Sequence, residues 1–129
     1  MKIEHIALAS NSEKESDDFY IKLLGLKKIK TFTVSSDNMM QFFNIKEEHQ
    51  FIRYQKQDFS VEVIITNKTE RVKDRYTHSC ILVEDGINLL KRAAEMGYKT
   101  IKVPRSKDNG YYLFLKDNFG NIFEIKNVQ

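Results

Sequence analysis

The same order of predicted elements occurs twice in this 129-residue chain. A strand is followed by a helix, a glycine and a lysine-containing strand, first around Ser12 and Gly25 and again around Asp85 and Gly97. Ser12 begins a capping box with Glu15, Asp85 can cap the second helix, and a glycine is typical of a helix end. Since repeats of this size must share a core, we expect the two halves to form one joint fold.

Further predicted strands complete each half. Apolar and β-branched runs between turn signals predict strands at 26–33, 39–45, 50–55 and 59–66 in the first half. In the second half they predict strands at 98–103, 111–116 and 122–127. The chain is therefore read as a single domain made of module one (1–67), a polar linker (68–75) and module two (76–129).

Four ionisable residues occupy matching places in the two halves: His5, Glu62, His78 and Glu124. Each lies in an apolar run that is predicted to be a strand. An ionisable side chain in such a run must face water or have a partner that compensates for its desolvation. Alternate side chains of a strand share a face. If the first and last strands of each half pair, and the two halves pack with pseudo-twofold symmetry, the four side chains converge.

The chemistry of this set favours a metal site. Two imidazoles and two carboxylates form a mixed nitrogen and oxygen donor set that suits a divalent transition metal such as Ni, Co, Zn, Mn or Fe. Open coordination positions could hold two vicinal oxygens of a substrate and stabilise an enediolate by Lewis-acid catalysis. Taken singly, a histidine in a strand is more often a hydrogen-bonded structural residue, and a glutamate there usually faces water. Their coincidence at matching points of a repeat favours the metal site.

Composition and charge exclude several other classes of function. The net charge of +3 is mild and scattered, so a nucleic-acid-binding protein is not expected. No apolar run approaches the roughly 20 residues of a membrane helix, and no targeting signal precedes the first strand. The single cysteine, Cys80, suits a reducing cytoplasm and is expected to be core or pocket lining rather than a nucleophile. His49 lies in a polar turn and is expected at the surface.

Four motifs spread over the chain carry a family resemblance. They are the opening strand at 3–8, the helix end at 19–26, the second histidine strand at 77–81 and the closing turn and strand at 116–125; the letters are IEHIAL, FYIKLLGL, THSCI and KDNFGNIFEI. With these motifs the chain resembles the vicinal oxygen chelate superfamily. That superfamily includes glyoxalase I, methylmalonyl-CoA epimerase, fosfomycin-resistance proteins, extradiol dioxygenases and bleomycin-resistance proteins.

The resemblance implies a fold, a ligand set and an activity. The fold is α+β, with two βαβββ modules that form cupped, mixed β-sheets around a central cavity. The implied metal ligands are His5, Glu62, His78 and Glu124, with Glu124 also the catalytic base. This pattern is closest to glyoxalase I, because the epimerase usually has Gln at the place of Glu62. The implied activity is that of a lyase or isomerase acting on a small α-hydroxycarbonyl compound or hemithioacetal through a metal-bound enediolate, with Ni, Co, Zn or Mn as cofactor.

Departures from the glyoxalase pattern bear on which thiol compound would form the hemithioacetal substrate. Glutathione-dependent glyoxalases commonly have Arg where this chain has Ala9 and Asn where it has Thr66, which puts glutathione in question. The partners expected are a small-molecule substrate and a second copy of the chain in a homodimer, with the site either within one chain or shared across the interface.

Two alternative functions of the same superfamily stay open. One is a metal-free protein that binds a small molecule or confers antibiotic resistance, for which Tyr111, Tyr112, Phe114 and Phe119 could supply aromatic lining. The other is a thiol transferase acting on an epoxide antibiotic, whose Mn site in that subgroup uses His, His and Glu.

Overall fold

The structure, a computed structural model, describes residues 3–67 and 78–129. The chain divides into two compact units, Met1–Glu70 and Arg71–Gln129. The predicted linker at 68–75 lies outside the described residues. Each unit contains one four-stranded mixed sheet in the predicted βαβββ arrangement, and unit one has an additional helix between its second and third strands. The α+β fold class with two such modules is therefore confirmed.

Unit one begins with the predicted strand, helix and strand. Its sheet has the order β1-β4-β3-β2, in which β1 and β4 are parallel and the other pairs are antiparallel. The helix α1 continues without a break into a wider π-helical segment. The elements are β1 (Ile6–Ser10), α1 (Glu13–Ser16), the π-helical segment (Asp17–Leu23), β2 (Lys27–Val34), α2 (Ser36–Phe43), β3 (His49–Lys56) and β4 (Phe59–Ile65).

Unit two repeats this topology. Its sheet has the order β5-β8-β7-β6, with the first and last strands again parallel and adjacent. The pairing of the first and last strands within each half, which the sequence analysis set as a condition for the four side chains to converge, is therefore present in both units. The elements are β5 (His78–Val83), α3 (Gly86–Glu95), β6 (Lys99–Pro104), β7 (Tyr111–Lys116) and β8 (Ile122–Asn127).

The prediction of a strand at 39–45 is wrong, because residues 39–43 belong to helix α2 and residue 44 caps it. The Ser35 hydroxyl accepts a hydrogen bond from the backbone N–H of Asn38 at 3.2 Å and caps the helix. Asn44 ends it in the left-handed conformation, with φ of 59°. The apolar run is too short for periodicity to separate a strand from a helix, so these end signals were the informative feature.

Tyr54 joins the helical layer of unit one to its sheet. Its side chain is fully buried on β3, and its ring stacks on Tyr20 with centroids 5.3 Å apart. The hydroxyl donates to Asp17 Oδ1 at 2.7 Å, and burial raises the pKa of Tyr54. Ser12 is confirmed as the N-cap of α1, since its hydroxyl accepts from the backbone N–H of Glu15. These contacts fix β3, the strand that carries a buried arginine described below.

Gly86 allows α3 to lie close to its sheet. A Cβ placed there would lie 2.8 Å from Leu113 Cδ1 and 3.2 Å from Ile125 Cγ2. The Gly86 N–H also donates to the side chain of Asn127 at 2.7 Å. We therefore expect Gly86→Ala to lower the free energy of unfolding by about 1–3 kcal/mol, the usual range for overpacking. Urea denaturation followed by circular dichroism measures this.

Gly97→Asn is the comparison for Gly86→Ala, because its cost comes from the backbone conformation and not from a clash. Gly97 ends the same helix at φ of 89°, and nothing lies within 4 Å of a Cβ built there. Asparagine tolerates the left-handed region. A urea midpoint of Gly86→Ala equal to that of wild type would contradict the close approach of α3 to its sheet.

Within the described ranges, no helix is long and apolar enough to cross a membrane.

Candidate metal half-sites

The strand register of unit one brings His5 beside Glu62. In the parallel pair of β1 and β4, Ala7 lies opposite Glu62, and His5 is two residues before Ala7. The three side chains therefore share one face of the sheet. His5 Nε2 is 3.7 Å from Glu62 Oε1, and the two side chains are 30% and 12% exposed. His5 and Glu62 form what we call the first half-site.

Unit two repeats this arrangement with the same offset. Cys80 lies opposite Glu124 in the pair of β5 and β8, and His78 is two residues before Cys80. His78 Nε2 is 3.6 Å from Glu124 Oε2, and the side chains are 40% and 19% exposed. His78 and Glu124 form the second half-site. Each unit thus brings together the two predicted ligands that it contains.

A buried arginine, which sequence reasoning missed, completes the first half-site. Arg53 lies directly opposite Glu62 in the antiparallel pair of β3 and β4. Its Nη2 donates to Glu62 Oε2 at 2.6 Å and its Nη1 donates to Glu4 Oε1 at 2.8 Å. The hydrogen bond to Glu62 raises the pKa of Arg53. Glu4 in turn accepts a hydrogen bond from His5 Nδ1, and this bond and that from Arg53 lower the pKa of Glu4.

The surroundings of Glu124 in the second half-site are different. The residue opposite Glu124 on β7 is Phe114, whose ring meets the His78 ring edge-on with centroids 5.8 Å apart. A cation is still close, since Lys126 Nζ lies 3.6 Å from Glu124 Oε1. That distance is longer than a hydrogen bond. Glu124 is therefore held less tightly than Glu62.

The turn before β8 sets where this strand, which carries Glu124, begins. Asp117 is buried, and its Oδ1 accepts from the backbone N–H groups of Phe119 and Asn121 at 3.0 and 2.8 Å. Its Oδ2 accepts from Asn121 Nδ2 at 2.7 Å. A carboxylate that accepts several N–H groups fixes a turn strongly. The motif recognised in the sequence at 116–125 thus has a structural role upstream of Glu124.

The spacing within each half-site fits two ligands of one metal ion. Nitrogen and oxygen ligands at typical metal distances lie roughly 3.0–3.5 Å apart along a coordination edge. The observed distances of 3.7 and 3.6 Å are close to this and too long for a direct hydrogen bond. In each carboxylate one oxygen faces the imidazole and the other faces a cationic side chain. Within the described part of either unit, no three His, Cys, Asp or Glu side chains group closely enough to hold a metal.

One prediction about a single residue is wrong. His49 is buried rather than exposed, and its Nδ1 donates to the Ile65 carbonyl oxygen at 2.7 Å. It was read as a surface residue because its sequence neighbours are polar, whereas it begins β3, a strand with a neighbour on each side. Cys80, which was expected to be core or pocket lining, is exposed and so is not part of the core. Desolvation by burial of part of the side chain raises the pKa of the Cys80 thiol, which agrees with its rejection as a nucleophile.

Comparison with solved structures identifies the fold. A glyoxalase family protein from Enterococcus faecalis is 15% identical, with a TM-score of 0.70 over 96% of this chain and 95% of that one. The fosfomycin resistance protein FosX from Listeria monocytogenes is 14% identical, with a TM-score of 0.71 over 100% and 94%. FosX from Mesorhizobium loti is 12% identical, with a TM-score of 0.69 over 99% and 92%. These TM-scores establish a shared fold, and at identities this low they establish the fold alone.

The family is identified by its sequence pattern. A search of curated proteins found no significant match. The family model described as Glyoxalase/Bleomycin resistance protein/Dioxygenase superfamily matches residues 2–125, which is nearly the whole chain. The resemblance carried by the four sequence motifs is thereby confirmed, and the chain belongs to the Glyoxalase/Bleomycin resistance protein/Dioxygenase superfamily.

Proposed function

We propose that this protein is a metal-dependent lyase or isomerase that acts on a small α-hydroxycarbonyl compound or hemithioacetal. The observation that carries the proposal is the duplicated half-site. Two strand pairs in separate units place an imidazole nitrogen 3.6–3.7 Å from a carboxylate oxygen with the same register offset.

In this proposal His5, Glu62, His78 and Glu124 bind one divalent ion, Ni, Co, Zn or Mn, from one chain or across a homodimer. Their nitrogen and oxygen donors suit these metals. When bound, the ion would supply a Lewis acid that polarises substrate oxygens. The role of Glu62 is ligation, because Arg53 holds one of its oxygens and leaves the other beside His5.

Glu124 is the proposed base. It would take the proton from the carbon that bears the substrate hydroxyl and return it to the neighbouring carbonyl carbon, while the hydroxyl proton passes to the former carbonyl oxygen, so that the reaction is an isomerisation without net oxidation. Two features of the second half-site support this role. Glu124 is partly exposed, and Lys126 Nζ lies 3.6 Å from its Oε1. The corresponding contact of Glu62 with Arg53 is shorter, at 2.6 Å, so Glu62 is the more constrained of the two carboxylates.

Elemental analysis of the purified protein tests the metal site. Wild type, His5→Ala and Glu124→Ala are exposed to the same mixture of Ni, Co, Zn and Mn salts and passed through a desalting column. We expect near-stoichiometric metal in wild type and loss of most of it in both variants, since each removes a ligand. Glu95→Ala, which changes an exposed glutamate at the end of α3, is the control and should keep the metal.

Other outcomes of this experiment decide against the proposal. Wild type that takes up no metal would favour the alternative of a metal-free protein that binds a small molecule. Equal metal content in wild type and both variants would place the ion elsewhere on the chain. Thermal shift with the same salts gives a second measure, because a ligand bound only by the folded state raises the melting temperature.

A second candidate function is a resistance enzyme that opens an epoxide antibiotic, including the thiol transferase alternative. The observation that favours it is the ion pair that occupies one oxygen of Glu62, which would leave His5, His78 and Glu124 as a three-ligand set. One FosX mutant of similar fold was solved with Mn(II) and 1S,2S-dihydroxypropylphosphonic acid. Glu62→Gln separates the two candidates: we expect weaker metal binding if Glu62 is a ligand and unchanged binding if it is not.

A further inference from the structure

Arg53 is a buried cation that holds two carboxylates at once. It is 8% exposed, and its two terminal nitrogens donate to Glu62 at 2.6 Å and to Glu4 at 2.8 Å. Its Nε is buried without a hydrogen-bond partner among the described residues. Because the guanidinium is planar and rigid, its two bonds fix the carboxylates relative to each other. An arginine with this geometry constrains position as well as charge.

The second carboxylate, Glu4, extends this constraint to His5. One oxygen of Glu4 accepts from Arg53 and the other accepts from His5 Nδ1. An ionised carboxylate has no proton to donate, so Nδ1 must carry the hydrogen. In a neutral imidazole the lone pair then lies on Nε2, the atom that faces Glu62 at 3.7 Å. His5, Glu4, Arg53 and Glu62 form a closed ring of contacts, which we call the Arg53 ring.

The Arg53 ring leaves two hydrogen-bond acceptors facing each other. The Nε2 lone pair of His5 and Oε1 of Glu62 repel each other, and a cation between them would relieve this repulsion. With a neutral imidazole, one positive charge of Arg53 meets the two negative charges of Glu4 and Glu62, so the ring keeps an excess negative charge. Metal-ligating histidines usually donate their other ring N–H to a carboxylate or carbonyl, which raises their basicity as ligands.

The second half-site provides an internal comparison. At the register position of Arg53, opposite the glutamate on the neighbouring strand, unit two has Phe114. The cation near Glu124 is instead Lys126, at 3.6 Å and more than half exposed. A bridging arginine is therefore not a requirement of the fold at this position. Its presence in unit one needs a reason specific to the first half-site.

We infer that Arg53 is the positioning residue of the first half-site: it orients Glu62 directly and, through Glu4, sets the His5 tautomer that presents Nε2 to a metal. The inference rests on the proposed function for the identity of the ligand. Its structural part, the tautomer of His5, does not depend on metal. The two parts can therefore fail separately.

Nuclear magnetic resonance of the metal-free protein tests the tautomer. Histidine rings labelled with nitrogen-15 are measured at about pH 8.5, above the usual range of imidazole ionisation. Free imidazole side chains favour the Nε2–H form, so an Nδ1–H signal for His5 would be distinctive. We expect this signal in wild type and in Lys126→Gln, and a shift toward Nε2–H in Arg53→Gln. Glu4→Ala should shift it too, and because Glu4 is exposed this variant should fold even if Arg53→Gln does not.

Titration with Co(II) tests the effect on metal binding. We expect the affinity of Arg53→Gln to fall about 10- to 100-fold, as for loss of an outer-shell partner, with an altered visible absorption spectrum of the ion. Arg53→Lys should not restore it, because a lysine cannot bridge both carboxylates in a fixed geometry. Lys126→Gln should change the affinity much less.

The two measurements separate the possible failures. An Nδ1–H signal for His5 that persists in both Arg53→Gln and Glu4→Ala would overturn the inference, whatever the metal result. An Nδ1–H signal that is lost in both variants, in a wild type that binds no Co(II), would support the Arg53 ring and contradict the proposed function. Loss of the signal together with unchanged Co(II) affinity and spectrum would also overturn the inference, because the ring would then not serve the metal.

Discussion

Glu124→Gln is expected to lower turnover about 100- to 10,000-fold, the range for loss of a general base. Glutamine keeps an oxygen at the same place but cannot accept a proton to become an acid, so metal should be retained better than in Glu124→Ala. Steady-state rates are measured with the metal-loaded protein on hemithioacetals of a small 2-oxoaldehyde with glutathione and with other small thiols. The expected loss is in kcat, since the substrate-binding groups are unchanged.

A matched variant separates loss of the base from loss of charge. Glu95→Gln removes one negative charge from unit two at an exposed position of α3 and should leave turnover unchanged. If Glu124→Gln turned over substrate as fast as wild type, Glu124 could not be the base and the role would pass to another group. If Glu124→Gln lost its metal as well as its activity, metal content measured on the same sample would reveal it.

Phe123→Ala should lower the free energy of unfolding by about 3–5 kcal/mol, the usual cost of truncating a buried phenylalanine. Phe123 is fully buried on β8, opposite the equally buried Leu115 of β7. Because side chains alternate along a strand, it anchors the core face of β8 while Glu124 lies on the other face. Chemical denaturation monitored by circular dichroism gives the value.

Phe123→Leu is the graded comparison. It keeps most of the apolar volume and should cost less than about 1.5 kcal/mol. A small effect of Phe123→Ala, similar to that of Phe123→Leu, would contradict the buried position. Metal binding needs β5 and β8 to stay paired. The Phe123→Ala protein should therefore lose its metal at a lower temperature than wild type does.

That His5 shares a face with Glu62, and His78 with Glu124, could be expected only on the condition that the first and last strands of each half lie together, because periodicity sets the faces within a strand but not which strands pair. The two-residue period makes every second residue equivalent, and both histidines keep this relation to the glutamates of the neighbouring parallel strands. The capped helices were predictable because their signals are local: the side chains of Ser12 and Asp85 accept hydrogen bonds from backbone N–H groups three residues later.

Arg53 and Glu4 could not be found in this way. Arg53 meets Glu62 only because a turn at 57–58 sets the register of β3 against β4, and a shift of one residue would move it to the other face. Glu4 is more than 40 residues from Arg53 along the chain, so no local pattern links them. Helix α2 was missed for a different reason: its apolar residues fit either period, and only its end signals were specific.

The strands that carry each half-site are the first and last of their module, which has a consequence for folding. A contact between chain ends requires closure of a loop that includes the whole module, so it is entropically costly and forms late. The helix and the antiparallel hairpin between these strands can form earlier, from local contacts. Competence to capture an ion would therefore arise only when a module is complete, and a nascent or truncated chain that lacks β4 or β8 would have an imidazole without its carboxylate.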